Sequence, residues 1–237
     1  MSSRQRLVKT AAAAECPVSN REASKLVLET WRRAQAVCFD VDSTLCEDES
    51  IDELAAFLGV GDAVAALTAN AMGGTVKFQD ALAMRLELMQ PSRQKVIAFL
   101  AAHPPRLSPG IPELVQLLQQ RGTAVYLVSG GFRVIINPIA DMLGIPLTNV
   151  YANTILHQDD DQGSYAGFDA EEFTSRSGGK AEAIRVIKAQ HGYSPLIMVG
   201  DGATDLEARQ PGGAEMFIGY GGVVERPNIA AAADCLL

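Results

Sequence analysis

Asp40 and Asp42 stand one residue apart at the end of an apolar run, Ala36-Val37-Cys38-Phe39-Asp40-Val41-Asp42-Ser43-Thr44. In an extended strand, residues at that spacing point to the same face, so both carboxylates would emerge together where strand gives way to loop. Val37, Phe39 and Val41 suit a buried central strand, where an ionised Asp is rarely left without a pairing cation or a metal. Two acids so placed could share a divalent cation, or divide the roles of nucleophile and proton donor. The plainer alternative is a strand that runs into an Asp/Ser turn.

Three further segments carry residues of the same chemistry. Gly200-Asp201-Gly202-Ala203-Thr204-Asp205 follows an apolar run but fails as a dinucleotide loop. Asp205 stands where a third glycine is needed, and Asp201 would repel a pyrophosphate unless a metal intervened. Asp201 reads better as a metal carboxylate; with Asp40 and the carbonyl of Asp42 it offers the hard oxygen ligands that Mg²⁺ takes. Ser129-Gly130-Gly131 presents a hydroxyl and backbone N–H groups, either an anion cradle or a tight turn. Ser177-Gly178-Gly179-Lys180 puts a lysine at a helix start, where the dipole opposes a positive charge. A bound phosphate would account for it; a solvated surface lysine is the alternative.

The elements that must position these residues alternate. A helix over 22–33 leads into a strand at 36–41, and after a long helical stretch come a helix at 111–121 and a strand at 123–128. A helix to Leu143 should kink or break at Pro138. Asn149 to Leu156 pairs with Tyr165 to Phe168 as a hairpin whose turn is Asp159-Asp160-Asp161-Gln162-Gly163, acids that lack the spacing of a calcium loop. A helix from Gly179 to His191, a strand at 196–199 and a strand at 214–218 complete the pattern. Strands separated by helices predict an α/β fold, a Rossmann-like doubly wound parallel sheet with its ligand site at the carboxyl ends of the strands. Asp40, Ser129 and Asp201 each stand at such an end. Between Ile51 and Ala102 only helical segments occur, near 51–58, 61–72, 78–89 and 92–101, which predicts an inserted helical bundle.

Composition bounds the function. The chain has 237 residues, 48% of them hydrophobic, and a formal charge of −8. That is enough for a real core, and the acidity argues against a general nucleic-acid binder, while a small anionic substrate remains compatible if positive charge is concentrated locally. No apolar stretch reaches the roughly 18 residues of a membrane span. Cys16, Cys38, Cys46 and Cys235 lack metal-ligand spacing, which fits a reducing compartment. Residues 1–14, rich in Ala and Ser with Arg4, Arg6 and Lys9, have the composition of a transit peptide or of a disordered terminus. A cytoplasmic location, or a plastid or other organelle, follows from which of these it is. The expected organisation is 1–20 outside the fold, 21–48 and 106–237 as catalytic core, and 49–105 as helical cap.

Asp40-Val41-Asp42-Ser43-Thr44, Ser129-Gly130-Gly131-Phe132-Arg133, Lys180 and Gly200 to Asp205 together resemble, in order and placement, the four motifs of the haloacid dehalogenase superfamily. Within it, Ile51-Asp52-Glu53-Leu54, Ala71-Met72-Gly73-Gly74 and Gln90-Pro91-Ser92-Arg93 extend the likeness to the phosphoserine phosphatase family, over about Glu22 to Ala232. The resemblance implies a Mg²⁺-dependent hydrolase of O-phospho-L-serine acting at the last step of serine biosynthesis. Asp40 would be nucleophile and metal ligand, and Asp42 the proton carrier and a further metal ligand with Asp201. Ser129, Gly130, Gly131 and Lys180 would hold the phosphate, with Thr204 in the same shell and Asp205 supporting Lys180 or the metal's waters. In the cap, Glu49 would meet the substrate ammonium and Arg85 its carboxylate, and Met72 and Phe78 would line the pocket or simply pack. A homodimer is compatible with the resemblance. Three alternatives stay open: phosphoryl transfer to an alcohol, a related phosphorylated amino acid as substrate, and a binder without catalysis.

Two departures stand out. Ser50 occupies a position where relatives commonly carry glycine, which puts the local loop geometry in question. The chain stops at Leu237, where the family continues through a short strand into a helix, so a terminal element is expected to be missing and the matched end to be loose.

Overall fold

A computed structural model describes residues 24–71 and 76–237. The expectations for residues 1–20 and for Met72 lie outside the described residues. Helix α1 (Lys25–Arg33) starts on Ser24, whose Oγ accepts a hydrogen bond from the Val27 N–H at 3.3 Å, and feeds strand β1 (Ala36–Phe39). Four helices follow: α2 (Ser50–Phe57), α3 (Gly61–Ala71), α4 (Phe78–Met89) and α5 (Arg93–Ala102). The chain then alternates through α6 (Ile111–Gln120), β2 (Ala124–Phe132), α7 (Arg133–Met142) and β3 (Val150–Asn153). Next come the hairpin β4 (Ile155–His157) with β5 (Tyr165–Phe168), and α8 (Gly179–His191). The last elements are β6 (Leu196–Gly200), α9 (Ala203–Leu206), β7 (Met216–Gly219), α10 (Pro227–Ala232) and β8 (Cys235–Leu236).

The main sheet has six strands in the order β3-β2-β1-β6-β7-β8, all parallel, with β1 paired to β2 on one side and β6 on the other. Successive residues face opposite layers, and the alternation is visible in the packing. Val37, Phe39, Val125 and Leu127 meet Val115 and Leu118 of α6 and Ile136 and Ile139 of α7. Ala36, Cys38, Tyr126 and Val128 meet Ala183, Ile184 and Ile187 of α8. A sheet covered on both faces needs continuous apolar strands, which is why β1 and β6 contain no polar residue. The inserted helices have a core of their own, with Leu54, Val64, Leu82, Leu86 and Phe99, which meets the sheet's layers at Phe132, Ile135 and Ile155. The doubly wound α/β fold is therefore as expected.

Four local expectations need correction. Asn149 to Leu156 is not one hairpin arm: β3 joins the main sheet beside β2, and only after Thr154 does the chain enter the hairpin. Buried Ala152 and Val150, packed in the sheet's core, make the difference. Helix α7 runs through Pro138 without a break. Strand β2 does not end at Val128 but continues through Ser129, Gly130 and Gly131 to Phe132, with an irregular register against β3. Finally, the matched end is not loose. Pro227 sits in the first turn of α10, where its missing N–H costs nothing, and β8 pairs with β7 at Ile218–Cys235 and Gly219–Leu236. The last short strand is thus in place.

Candidate active site

The carboxyl ends of β1, β2 and β6, the start of α8 and the segment after β7 surround one cavity of about 810 Å³. Asp40, Asp42, Glu49, Phe78, Arg85, Ser129, Gly130, Gly131, Lys180, Asp201, Thr204 and Asp205 all line it. Every expected site residue among the described residues is therefore brought together there.

Lys180 is the centre of the polar network. Its ammonium is buried, 2.7 Å from Asp40 Oδ2 and 2.7 Å from Asp205 Oδ1. Burial works against its charge, yet Asp205 and Asp40 together hold its pKa above that of a free lysine. Asp40 accepts a second hydrogen bond at Oδ1 from the Val41 N–H at 2.7 Å, so the chain turns sharply around this carboxylate as it leaves β1. Asp205 sits beneath Gly200, where a Cβ would overlap its carboxyl group; only glycine lets that acid approach the end of β6. Burial, then the charge of Asp40, push Asp205 upward against the pull of Lys180.

Asp42 faces a different set of partners. Ser50 donates to it twice, from N–H to Oδ1 at 2.9 Å and from Oγ to Oδ2 at 3.1 Å. Ser50 is the first residue of α2, so the helix N-terminus adds its dipole to these bonds. Desolvation, with the charges of Asp40 and Glu49, nevertheless raises Asp42 from 3.8 to about 7, the Ser50 bonds opposing. The serine that departs from the family pattern thus serves the second acid directly. A Cβ on Gly131 would stand 3.0 Å from both Asp42 Oδ2 and Ser50 Oγ, so this glycine leaves the room in which they meet.

The three carboxylates that converge are Asp40, Asp201 and Asp205, each offering an oxygen within 4.8 Å of the others. With Asp42 they make four acids against the cations of Lys180 and Arg226, an imbalance that a divalent cation fits, and carboxylate oxygen is the donor such a hard ion takes. Asp205, expected only in support, contributes as fully as Asp201, whereas the Asp42 carboxylate is turned to Ser50. Asp201 is raised by burial and by Asp40, with Arg226 and Lys180 opposing.

Arg226 is the site residue that sequence reasoning missed. Its Nε and a terminal nitrogen each lie 2.9 Å from Asp201 Oδ2, from the segment between β7 and α10. The only available signal was its position beyond the carboxyl end of a strand of the parallel sheet.

On the insert's side, Glu49 accepts a hydrogen bond from Ser43 Oγ at 2.6 Å, and burial is the main reason its pKa is raised. Arg85 donates from Nε to the Ala81 carbonyl of its own helix at 3.1 Å; burial lowers its pKa, with Asp52 and Glu49 opposing. Phe78 covers Gly130, and a Cβ there would stand 3.2 Å from its ring. Beneath, buried Asn153 donates to the Gly130 carbonyl at 2.8 Å and accepts from Thr174 Oγ1 at 2.9 Å, fixing the irregular end of β2. Ser129 Oγ accepts the Gly131 N–H at 3.0 Å. Opposite the cavity's chemistry, Asp160 Oδ1 accepts the N–H groups of Gln162 and Ser164, which makes the three-acid segment a turn.

The profile of haloacid dehalogenase-like hydrolases matches residues 34–213. The chain belongs to the haloacid dehalogenase-like hydrolase family. It is 56% identical over 214 residues to "Phosphoserine phosphatase, chloroplastic" of Arabidopsis thaliana, covering 90% of this chain and 72% of that one. Among solved structures, DsGPDH of Dunaliella salina superposes with a TM-score of 0.81 at 41% identity over 91% of this chain; the match spans 36% of that much longer protein. A phospho-aspartyl intermediate analogue of phosphoserine phosphatase superposes with a TM-score of 0.72 at 29% identity, covering 86% of this chain and 93% of that one. This haloacid dehalogenase-like hydrolase has no helix, among its described residues, long and apolar enough to cross a membrane.

Proposed function

We propose that the chain is a Mg²⁺-dependent phosphoserine phosphatase that converts O-phospho-L-serine to L-serine and phosphate through an aspartyl-phosphate, the last step of L-serine biosynthesis. The observation that carries this reading is the asymmetry of the two acids. Asp40 is anchored by Lys180, while Asp42 is held apart by Ser50 and titrates near neutrality. Two of the three relatives reported above, the Arabidopsis thaliana protein and the phospho-aspartyl intermediate analogue, bear the same activity in their names.

An Asp40 oxygen attacks phosphorus as the P–O bond to serine breaks, and Asp42 delivers its proton to the departing oxygen. Asp42 then takes a proton from the water that displaces Asp40 from phosphorus, so Asp40 is regenerated and phosphate leaves. Lys180, Ser129 and the N–H groups near Gly130 face the phosphoryl oxygens, where charge is to be neutralised. A divalent cation held by Asp40, Asp201 and the Asp42 carbonyl, with Asp205 beside it, would supply further neutralisation of phosphoryl charge. Residues 49–105 form the cap, in which Glu49 meets the ammonium and Arg85 the carboxylate of the substrate, the fork of Arg85 matching a planar anion. The location we propose is the cytoplasm, or a plastid if residues 1–14 act as a targeting segment.

The test is phosphate release from phosphoserine, phosphothreonine and a sugar phosphate, with and without Mg²⁺, for the parent and Asp40→Asn. Turnover is expected with phosphoserine and Mg²⁺ only in the parent. Equal rates for parent and Asp40→Asn would overturn the mechanism; equal rates for phosphoserine and the sugar phosphate would overturn the roles of Glu49 and Arg85 alone.

A further inference from the structure

A second cavity, of about 570 Å³, lies where the chain enters and leaves the helical insert. Its floor is core: Val41, Phe99, Ile135, Ile136 and Ile139 are all buried. Its rim is built from the two crossing segments, Cys46 to Ser50 on the way in and Ala102 to Arg106 on the way out, which are also tied together by the Glu47 N–H to the Arg106 carbonyl at 2.9 Å. Two lining rings, Phe99 and His103, stack on each other at 4.8 Å, and Phe57, outside the lining, meets both edge-on. An apolar recess of this size with a flat aromatic wall suits a small ring better than it suits water, which needs several polar partners.

The charges at its edge select the sign of what enters. Arg106 is the one arginine or lysine in the lining, and Asp48 already holds it, with Nε 2.9 Å from Asp48 Oδ1. Glu53, on α2, lines the cavity near enough to Arg106 to stabilise its charge, but without a salt bridge among the described residues. Asp42 is a third acid of the lining, and it is the one residue that lines this cavity and the active site alike. Without counting Asp42, which carries the proton, the two carboxylates of Asp48 and Glu53 face the single guanidinium of Arg106, and the remaining negative charge favours a cation, while the apolar floor favours an aromatic body.

We propose that this cavity is a second ligand site, taking a small aromatic amine whose ring lies against Phe99 and His103 and whose ammonium meets Glu53. Because Ser50 lines the cavity and donates twice to Asp42, an occupant presses on the group that holds the proton carrier. The site therefore acts as an effector site for the reaction; this coupling, unlike the binding itself, rests on the function proposed above.

The experiment is calorimetric titration of the whole chain with 2-phenylethylamine, with 2-phenylethanol and 3-phenylpropionate as neutral and anionic comparators. The amine is expected to bind about tenfold or more tightly than either comparator. Glu53→Gln should erase that preference, Ala102→Trp should block all three by filling the rim, and Glu49→Gln should leave amine binding intact, which separates this cavity from the active site. Failure of the amine to bind, equal affinity for the three probes, or binding unchanged in Ala102→Trp would each overturn the proposal. Phosphoserine turnover measured with the amine bound should change by about fivefold, and not in Ala102→Trp; binding without any change in turnover would overturn the coupling. A parent that binds the amine but has no phosphatase activity would instead overturn the proposed function.

Discussion

The two walls of the active site are built differently. On the sheet side, Asp40, Lys180 and Asp205 are buried and joined by short bonds that cross from β1 to α8 to the loop after β6, and buried Asp201 is held by Arg226. On the insert side, among the described residues, the side chain of Arg85 bonds only to its own helix, that of Glu49 only to Ser43, and the polar contacts from α4 to the core are those of Phe78 and Gln79 with Ser177, at 3.4 Å. A charged group locked in a dense network keeps its geometry without a ligand, whereas one held by a single local bond is free to turn toward what arrives. Under the function proposed above, the sheet side would carry the chemistry common to many phosphate esters, and the insert would choose among them.

Changes on the two walls should therefore fail in different ways. Lys180→Ala leaves Asp40 and Asp205 buried without their shared cation, and should cost about 3–5 kcal/mol of stability in metal-free protein, read by urea unfolding. Turnover should fall by roughly 10²- to 10³-fold for every substrate. Arg85→Met should instead lower kcat/KM for phosphoserine by on the order of 10²-fold, mostly through KM, and leave a phosphate ester without a carboxylate unaffected. A uniform loss for both substrates would erase the distinction between the walls.

The Asp42 prediction concerns pH. Its pKa is raised from 3.8 to about 7, so the folded protein binds this proton more tightly than the unfolded chain does. The resulting stability is fully present below pH 3.8 and is lost as pH rises toward 7. Stability of the metal-free protein, followed across that range, should decline less steeply in Asp42→Asn than in the parent; parallel curves would place the titration elsewhere. The smallest effect belongs to Ser177→Ala, which removes a long, exposed contact between α4 and the core. It should alter stability by less than about 0.5 kcal/mol, with any kinetic change confined to KM.

Much of the sheet side was legible in the residues themselves. Acids at strand ends have no use in a core, so Asp40, Asp42 and Asp201 stood out in the sequence as candidates, while Lys180, read alone as a surface lysine, joined them only through its company. The converse also held: the division of Asn149 to Leu156 between sheet and hairpin left no trace, because β3 and β4 share the same apolar alternation and differ only in what they pair with. Arg85 and Glu49 were named through resemblance, since on a helix and in an acidic run neither differs by type from a solvated neighbour.

By itself the sequence determined the fold class, the alternation of strands and helices around an inserted helical stretch, and the set of acids, because apolar period and turn chemistry are local properties of the chain. The tertiary structure alone decided who serves whom. It gave Asp42 to Ser50 and Asp201 to Arg226, and it made Asp205 an equal of Asp40 and Asp201. Some of these pairings join residues 8 or 25 apart and others bring Asp40 to Asp201 and Asp205 from nearly opposite ends of the chain, so they depend on distances that no spacing along the chain encodes.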